Sequence, residues 1–290
     1  MLCGCIDIGT NTTRVLVADT RDGGLREVLQ QRAFTRLGRG LVPGGMIPPA
    51  RIAETASVVA ELHALAEQVG ARTIRAVATA VIRRAANRAE FCAAIEERGV
   101  EVCVLDGDEE ARLAFLGATR TLGRPLEGRV AVVDVGGGST EIAVGTVAGG
   151  VEWARSFAFG SGVLADRYLA RDPPTAPELA AVRAHAAAEL GAIDPGPIET
   201  AVAVGGSAAT LRRLVGPVLD ADSLGHALKV LGGGPAADVA SRYELDVRRV
   251  RLMPAGLLAL DAVAHALGKP LQIGRGGLRE GVLFDLAGLR

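Results

Sequence analysis

The chain has 290 residues, of which 49% are hydrophobic and 22% are charged, and its formal net charge is −1. This composition is typical of a folded globular protein and excludes intrinsic disorder, while the near-neutral charge excludes nucleic-acid binding driven by bulk charge. A chain of this length forms one large or two medium domains. Its 38 glycines are well above the usual share and occur in short clusters, which indicates backbone loops.

The first residues, MLCGCIDIGTN, contain neither a basic leader nor a long apolar segment. No apolar run in the chain reaches the length of a membrane span. We therefore expect a cytoplasmic protein with no membrane partner. The four cysteines form no CxxC pair, and we interpret them as small buried hydrophobic residues of a protein in a reducing compartment.

The chain contains an internal repeat. The segments DIGTNTTRVLV, which begins at Asp7, and DVGGGSTEIAV, which begins at Asp134, align without gaps. Each copy reads as an apolar strand that ends in aspartate, a tight polar turn, and a β-branched strand that leads away. The repeat predicts two similar half-domains.

Strands and helices alternate after the first hairpin, which is typical of parallel α/β sheets with crossover helices. In chain order we predict a strand running into a Gly-rich turn over 32–45, a helix over 50–69, a strand over 73–78, a helix over 88–98, a strand over 100–105 and a helix over 108–118. The segment 122–129 is rich in glycine, proline and charge, and it predicts a boundary between domains 1–122 and 123–290.

The second half shows the same alternation. We predict a strand over 151–158, helices over 162–170 and 176–190, a strand over 200–204, a helix from Gly205, a helical region over 223–267, a strand over 270–273 and a terminal helix from Gly277. The last helices are expected to pack back on the first domain.

The two turns are candidate phosphate cradles. Consecutive glycines let backbone N–H groups converge on an anion, and neighbouring hydroxyl and amide side chains add donors. A single such turn would only permit a hairpin, but two copies that each follow an aspartate favour phosphate binding. The candidate phosphate-binding residues of the turns are Gly9, Thr10, Asn11, Thr12, Gly136, Gly137, Gly138 and Ser139.

Asp7 and Asp134 lie at predicted strand ends, where an acid beside a phosphate would repel it. A divalent cation such as Mg²⁺ or Mn²⁺ would resolve the conflict, because it binds one or two carboxylates together with phosphate oxygens. The alternative is that each aspartate accepts hydrogen bonds from its turn. Gly205, Gly206 and Ser207 open a helix after a strand and are a further candidate phosphate or nucleotide site. Close helix–strand packing is the alternative there.

Several segments together resemble the exopolyphosphatase and guanosine pentaphosphate phosphatase (Ppx/GppA) family. They are the two turns, ATAVIRRAANRAEF at 78–91, DGDEEARLAF at 106–115, ARDPPT at 170–175, VGGSAATL at 204–211 and GGLREG at 276–281. The family belongs to the actin, hexokinase and Hsp70 ATPase-fold superfamily. The resemblance therefore implies an α/β protein of two similar actin-like ATPase (ribonuclease H-like) domains with an interdomain cleft.

The resemblance also implies an activity, namely removal of terminal orthophosphate from inorganic polyphosphate with Mg²⁺ bound in the cleft, and we expect a homodimer. It assigns the catalytic base to Glu110, positioning of water or metal to Glu141, and phosphate binding to Arg83. Asp7, Asp134 and Glu141 are then the candidate metal ligands. These residue types suit the chemistry, because phosphoanhydride hydrolysis needs a carboxylate to activate water, a metal, and donors around the phosphoryl oxygens.

Three other functions stay open: a guanosine pentaphosphate 5′-phosphatase acting on a (p)ppGpp-type nucleotide, an ATP-dependent sugar or small-acid kinase, and a non-catalytic polyphosphate or alarmone sensor. The EEAR and GGLREG segments favour a hydrolase over a kinase, but no residue separates the two phosphatases. The chain departs from the family pattern at Val163, where arginine is frequent, at Arg251 and at Gly274–Arg275. These departures leave the substrate preference open.

Overall fold

The computed structural model describes residues 1–42 and 44–289, so Pro43 in the predicted Gly-rich turn and Arg290 lie outside the described residues. The chain divides into two compact units. The first comprises Met1–Gly117 together with the segment that begins at Gly277, and the second comprises Ala118–Gly276. Along the described chain, no helix is both long enough and apolar enough to cross a bilayer.

The strands of the described residues form one sheet in each unit. They are β1 (Leu2–Ile8), β2 (Thr13–Asp19), β3 (Arg26–Ala33), β4 (Thr73–Ala78), β5 (Val102–Val104), β6 (Val130–Val135), β7 (Thr140–Thr146), β8 (Gly150–Phe157), β9 (Thr200–Val204), β10 (Val218–Leu219) and β11 (Leu271–Ile273).

The α-helices connect the strands and cover the sheets. They are α1 (Pro49–Gln68), α2 (Ala80–Arg83), α3 (Arg88–Glu96), α4 (Gly107–Thr121), α5 (Ser161–Tyr168), α6 (Ala176–Leu190), α7 (Gly205–Val215), α8 (Ala221–Gly232), α9 (Ala236–Arg242), α10 (Val247–Val250), α11 (Met253–Leu267) and α12 (Leu278–Leu286).

The two sheets have the same topology. The first has the order β3-β2-β1-β4-β5, and the second has the order β8-β7-β6-β9-β11 with β10 added at its edge. In each sheet the first three strands form successive antiparallel pairs. β4 and β5 then run parallel to β1, and β9 and β11 run parallel to β6, whereas the edge strand β10 is antiparallel to β11. This order is that of a ribonuclease H-like domain, and it confirms the predicted α/β fold with two similar units.

The first sheet is covered on both faces because its central strand is apolar on both faces. Ile6 and Ile8 pack in a core with α1 and α3, whereas Cys3 and Cys5 pack in a second core with α4 and α12. The period-two alternation of a strand sends these pairs to opposite faces. Cys3 and Cys5 are thus buried as predicted, while Cys103 on the edge strand β5 is exposed, which corrects the expectation for that residue.

Two predicted elements differ from the structure. The third strand is β3, which ends at Ala33 and so precedes most of the segment predicted as strand and turn. This edge strand is exposed along most of its length, so it lacks the apolar alternation that marks a half-buried strand. The predicted helical region over 223–267 is four helices, α8 to α11. Between α8 and α9 it is interrupted by Gly233, Gly234 and Pro235, since glycine and proline end helices. Between α9 and α10 it is interrupted at Glu244, which has a left-handed backbone.

Within the first unit, α4 and α12 touch through their backbones. A Cβ atom added to Gly281 would lie 1.8 Å from the Leu113 carbonyl oxygen, and one added to Gly117 would lie 2.0 Å from the Gly277 carbonyl oxygen. Only glycine fits at both contacts. This crossing fixes the start of α12, which carries the GGLREG segment, against the helix that carries the EEAR segment.

We expect Gly281→Ala to lower the free energy of unfolding by about 1–3 kcal/mol, because the new methyl group forces the two helices apart. Urea denaturation measures the change. The matched control is Gly225→Ala in α8, where no neighbouring atom lies within 4 Å of the added Cβ. That variant is expected to be as stable as the natural protein or more stable by about 0.5–1 kcal/mol, because alanine favours helix. Equal stability of Gly281→Ala and the natural protein would contradict the backbone contact.

Candidate active site

The two copies of the repeated motif fold into the same turn. In the first copy the Gly9 N–H donates to the Thr12 carbonyl at 3.0 Å, and in the second the Gly136 N–H donates to the Ser139 carbonyl at 3.0 Å. Each turn follows the carboxyl end of the strand that begins its unit. In open α/β sheets ligands bind outside the carboxyl ends of the strands. Both turns therefore lie where such a sheet binds its ligand.

The strands that flank each turn place charged residues at equivalent positions. Asp7 lies opposite Arg14 in the β1–β2 pair, and Asp134 lies opposite Glu141 in the β6–β7 pair. Directly opposed residues of an antiparallel pair have neighbouring side chains on one face. The strands beside the first turn therefore carry one acidic and one basic side chain, whereas those beside the second turn carry two acidic side chains.

The segment that follows β3 packs along the first turn. The Arg36 N–H donates to the Asn11 carbonyl at 3.1 Å, and the Gly38 N–H donates to the Thr10 carbonyl at 2.9 Å. The N–H and C=O groups of a trans peptide point in opposite directions. The N–H groups of Asn11 and Thr12, which share peptides with these carbonyls, consequently point away from the packed segment.

The N-terminus of α5 packs on the second turn in the same manner. The Gly136 carbonyl accepts hydrogen bonds from the Ser161 N–H at 2.9 Å and the Ser161 hydroxyl at 3.1 Å. The Gly137 carbonyl accepts from the Val163 N–H at 3.0 Å. The N–H groups of Gly137 and Gly138 therefore point away from α5. Val163 contributes through its backbone, so its departure from the family's arginine leaves this support intact.

The carboxylate of Asp134 lies against the start of α7. A Cβ atom on Gly205 would be 2.0 Å from Asp134 Oδ1, and Gly205 has a φ of +83°. Glycine is therefore required both by the close contact and by the backbone conformation. Gly206 and Ser207 continue the first turn of this helix, and Ser207 is buried. The structure thus brings the second turn and the 205–207 segment together at Asp134.

Glu141 is an acid in a buried strand. Its side chain belongs to a residue that is 2% exposed, and its Oε1 accepts a hydrogen bond from the Ser156 hydroxyl at 2.7 Å. Burial of a carboxylate is costly unless it has partners. Glu141 is thus a buried, hydrogen-bonded acid that lies directly opposite Asp134 in the β6–β7 pair.

Burial raises the pKa of the Asp7 carboxyl, because desolvation disfavours its charged form. The nearby Arg14 and Arg279 oppose this effect by favouring the carboxylate, and Glu280 adds to it. Arg279 and Glu280 lie in the first turn of α12 in the first unit, where Glu280 Oε2 accepts a hydrogen bond from the Gly277 N–H at 2.8 Å. The GGLREG segment therefore supplies charges beside the first turn.

Arg83 and Glu110 form an ion pair at the carboxyl ends of β4 and β5. Arg83 Nη1 donates to Glu110 Oε2 at 2.9 Å and to the Leu105 carbonyl at 2.8 Å. Glu110 is 7% exposed, in the first turn of α4. The structure thus joins the residue predicted to bind phosphate with the residue predicted to be the base.

The neighbouring Glu109 is held differently. Arg112 binds both of its carboxylate oxygens, at 2.7 and 2.8 Å, and also donates to Asp285 Oδ1 at 3.1 Å. Asp285 in turn accepts a hydrogen bond from Arg75 at 2.8 Å. This chain of ion pairs fastens α4 and α12 to β4 and gives Glu109 a structural role there.

The candidate metal ligands suit a hard divalent cation. No group of three histidine, cysteine or acidic side chains in the described part of the chain is close enough to form a protein-only metal centre. Mg²⁺, however, commonly uses one or two carboxylates and takes its remaining ligands from water and phosphate. Asp134 and Glu141 are adjacent across β6 and β7, and both offer only oxygen ligands, so they fit such an ion.

Some residues of this region were not singled out from the sequence. Arg14 is detectable as the counterpart of Glu141 in the repeat, and Arg279 lies in the GGLREG segment. Gly160 is a third case, because a Cβ atom there would lie 2.7 Å from the Gly136 carbonyl oxygen. Its sequence signal is only a GSG tripeptide before a helix, which is too common to identify a site.

Comparison with known proteins gives the relatives of this chain. A model of the Ppx/GppA phosphatase family matches residues 16–289. Exopolyphosphatase 1 of Mycobacterium tuberculosis is 30% identical, over 98% of this chain and 88% of the relative. The guanosine-5′-triphosphate,3′-diphosphate pyrophosphatase of Aeromonas hydrophila is 27% identical, over 99% of this chain and 60% of the relative.

A solved structure of the same family is similar to this chain in both sequence and fold. The Ppx/GppA enzyme of Aquifex aeolicus is 31% identical, with a TM-score of 0.80 over 98% of this chain and 99% of that structure. The family match spans both units and includes the second turn and the EEAR and GGLREG segments. The chain therefore belongs to the Ppx/GppA phosphatase family and is a phosphoanhydride hydrolase.

Proposed function

We propose that the protein is an exopolyphosphatase that releases terminal orthophosphate from inorganic polyphosphate. The observation that carries the proposal is the pair of equivalent turns. In each turn the carbonyl groups are hydrogen-bonded to the supporting segment, so the N–H groups of the same peptides point away from that segment. Two such donor sets in one chain suit a substrate made of repeated phosphoryl groups. The similarity to exopolyphosphatase 1 over nearly the whole chain supports the same substrate.

In this proposal the turns bind phosphoryl oxygens through Asn11, Thr12, Gly137 and Gly138 N–H groups. Their peptides are held by hydrogen bonds on the carbonyl side, so they need little reorganisation when negative charge develops in the transition state. Preorganised donors of this kind contribute strongly to catalysis. The start of α7 adds donors beside Asp134.

Glu110 is the proposed general base. It accepts a proton from water as the water oxygen bonds to the terminal phosphorus and the bridging P–O bond breaks. Orthophosphate leaves, and the chain is one phosphoryl group shorter. Arg83 holds Glu110 Oε2, so we propose that it orients the carboxylate in addition to its expected contact with phosphate.

Asp134 and Glu141 are the proposed protein ligands of Mg²⁺ or Mn²⁺, and Asp7 is a candidate ligand from the sequence alone. A bound divalent cation would neutralise phosphate charge and polarise the phosphoryl group. Asp134 lies at the edge where the second turn and α7 meet, which is the place for a ligand shared with phosphate. Glu141 lies opposite it in β7 and accepts a hydrogen bond from the Ser156 hydroxyl.

A guanosine pentaphosphate 5′-phosphatase is the second candidate. The similarity to the Aeromonas hydrophila relative favours it, and its chemistry at the terminal phosphoryl group is the same. Phosphate release from long-chain polyphosphate and from guanosine pentaphosphate, measured side by side, distinguishes the two. We expect a higher kcat/KM for polyphosphate. ADP formation from ATP with a panel of sugars would instead identify a kinase, and binding without any phosphate release would identify a sensor.

We expect Glu110→Gln to lower kcat by about 10²–10⁴-fold with a much smaller change in KM, because glutamine keeps the size of the side chain but cannot accept the proton. Steady-state phosphate release from polyphosphate measures both constants. The matched control is Glu109→Gln, one position earlier on the same helix, which breaks only the pair with Arg112. If Glu109→Gln lost activity and Glu110→Gln kept it, the base would be misassigned; if both kept activity, Glu141 would become the leading candidate.

We expect Asp134→Asn to lower kcat steeply. Its remaining activity should increase only weakly with the concentration of the divalent cation and should not saturate. Asparagine keeps the contact with Gly205 but removes the charge that attracts the cation. Titration of activity with Mg²⁺ and with Mn²⁺ measures the effect, and circular dichroism tests whether the fold is kept. Asp222→Asn, an exposed acid of the same unit, is the control. Full turnover of the natural protein in excess chelator would exclude the metal proposal.

A further inference from the structure

Two non-glycine residues of the described chain have left-handed backbone conformations, Arg36 with a φ of +48° and Glu244 with a φ of +52°. Side chains with a Cβ atom are disfavoured there, and glycine is the usual solution. This chain uses glycine at its other described positions with positive φ, including the two in the same loop, Gly40 and Gly44. A non-glycine residue is therefore uncommon at such a position, and Arg36 is the one of these two whose backbone contacts a candidate phosphate turn.

The conformation of Arg36 is imposed by its neighbours. The Thr35 hydroxyl is buried against the Thr13 hydroxyl at 3.1 Å, and Leu37 is fully buried in the core. The Arg36 N–H is bound to the Asn11 carbonyl, and its own carbonyl accepts a hydrogen bond from Arg51 at 3.3 Å. Strain of this kind persists only where surrounding structure fixes it, and it concentrates at ligand sites.

Arg36 lies beside the first turn, where its side chain is available to bind an anion. Among the described residues its guanidinium has neither a hydrogen-bond nor an ion-pair partner, although the residue is half-buried. Its backbone contacts Asn11, the tip of the first candidate phosphate cradle. The side chain of an arginine spans several ångströms, and the Arg36 backbone is in direct contact with the turn at which the anion is proposed to bind. Guanidinium groups bind phosphate oxygens in pairs.

We propose that Arg36 is a substrate-binding residue that contacts phosphoryl oxygens of the polyanion held at the first turn. The proposal deepens the proposed exopolyphosphatase function and rests on it for the identity of the substrate. The left-handed backbone is retained because the loop fixes it and the guanidinium is needed there. A purely structural position would have been filled equally well by glycine.

Replacement of Arg36 by glycine is expected to weaken substrate binding without lowering stability. Arg36→Gly relieves the backbone strain and removes the guanidinium, so we expect an equal or higher midpoint of thermal unfolding together with a KM for polyphosphate that rises about 10- to 100-fold. We expect kcat to change much less. The difference in KM should shrink as salt is added, because salt screens charge interactions. Arg36→Lys should recover part of the affinity.

The matched control is Glu244→Gly, which relieves the same kind of strain at an exposed residue after α9. It is expected to keep or raise the midpoint of unfolding without changing KM. If Arg36→Gly kept the KM of the natural protein, or lost affinity only together with a lower midpoint of unfolding, the proposal would be overturned.

A binding measurement separates this proposal from the proposed activity. Calorimetric titration of polyphosphate into Glu110→Gln and into the double variant with Arg36→Gly compares affinity without turnover. Weaker binding by the double variant supports the role of Arg36 even if the natural protein hydrolyses a different phosphoanhydride. Equal binding overturns that role even if the natural protein is an efficient exopolyphosphatase.

Discussion

The candidate site depends on the direction of a few peptide groups. In each turn two carbonyls are bound by the N–H groups of a packed segment, and planarity of the trans peptide then directs the next N–H groups to the other side. This arrangement requires the supporting segment to approach the turn closely. A Cβ atom on Gly38 would lie 2.2 Å from Thr10 Cγ2, and one on Gly160 would lie 2.7 Å from the Gly136 carbonyl oxygen. Part of the unusual glycine content is explained by these contacts, since a larger residue would push the supporting segment off its turn.

The repeat is symmetric in its backbone but not in its charges. Beside Asp7 stand Arg14 and Arg279, which offset part of the cost of burying the carboxylate. Beside Asp134 stands a second carboxylate, Glu141, at the position equivalent to Arg14. Two adjacent acids suit a divalent cation, whereas the charges beside Asp7 are two arginines and one acid, Glu280. On these grounds Asp134 is a stronger candidate than Asp7 for the metal ligand, although the sequence assigns them the same role.

The sequence alone predicted the two half-domains, the alternation of strands and helices, and the candidate turns, because each rests on a local pattern. Asp7 and Asp134 are recognisable from the repeat, and GGLREG is recognisable from the family resemblance. The pairing of Arg83 with Glu110 was not predictable, because α2 and α4 are separate in the chain and no local signal fixes their side-chain contacts. The conformation of Arg36 was hidden for a similar reason. Its left-handed backbone is imposed by Thr35, Leu37 and Asn11, and the residue itself is an ordinary arginine in the sequence.

The GGLREG segment shows how one short sequence serves packing and electrostatics together. Gly277 and Gly281 allow α12 to touch α4 through the backbone, and only this close approach brings the start of the helix to the first unit's sheet. Arg279 and Glu280 are then near enough to Asp7 to alter the pKa of its carboxyl in opposite directions. Because α4 also carries Glu110, a change in the helix crossing would move the candidate base and the charges around Asp7 at the same time. The glycines of this segment are therefore coupled to the chemistry through geometry, even though they carry no functional group.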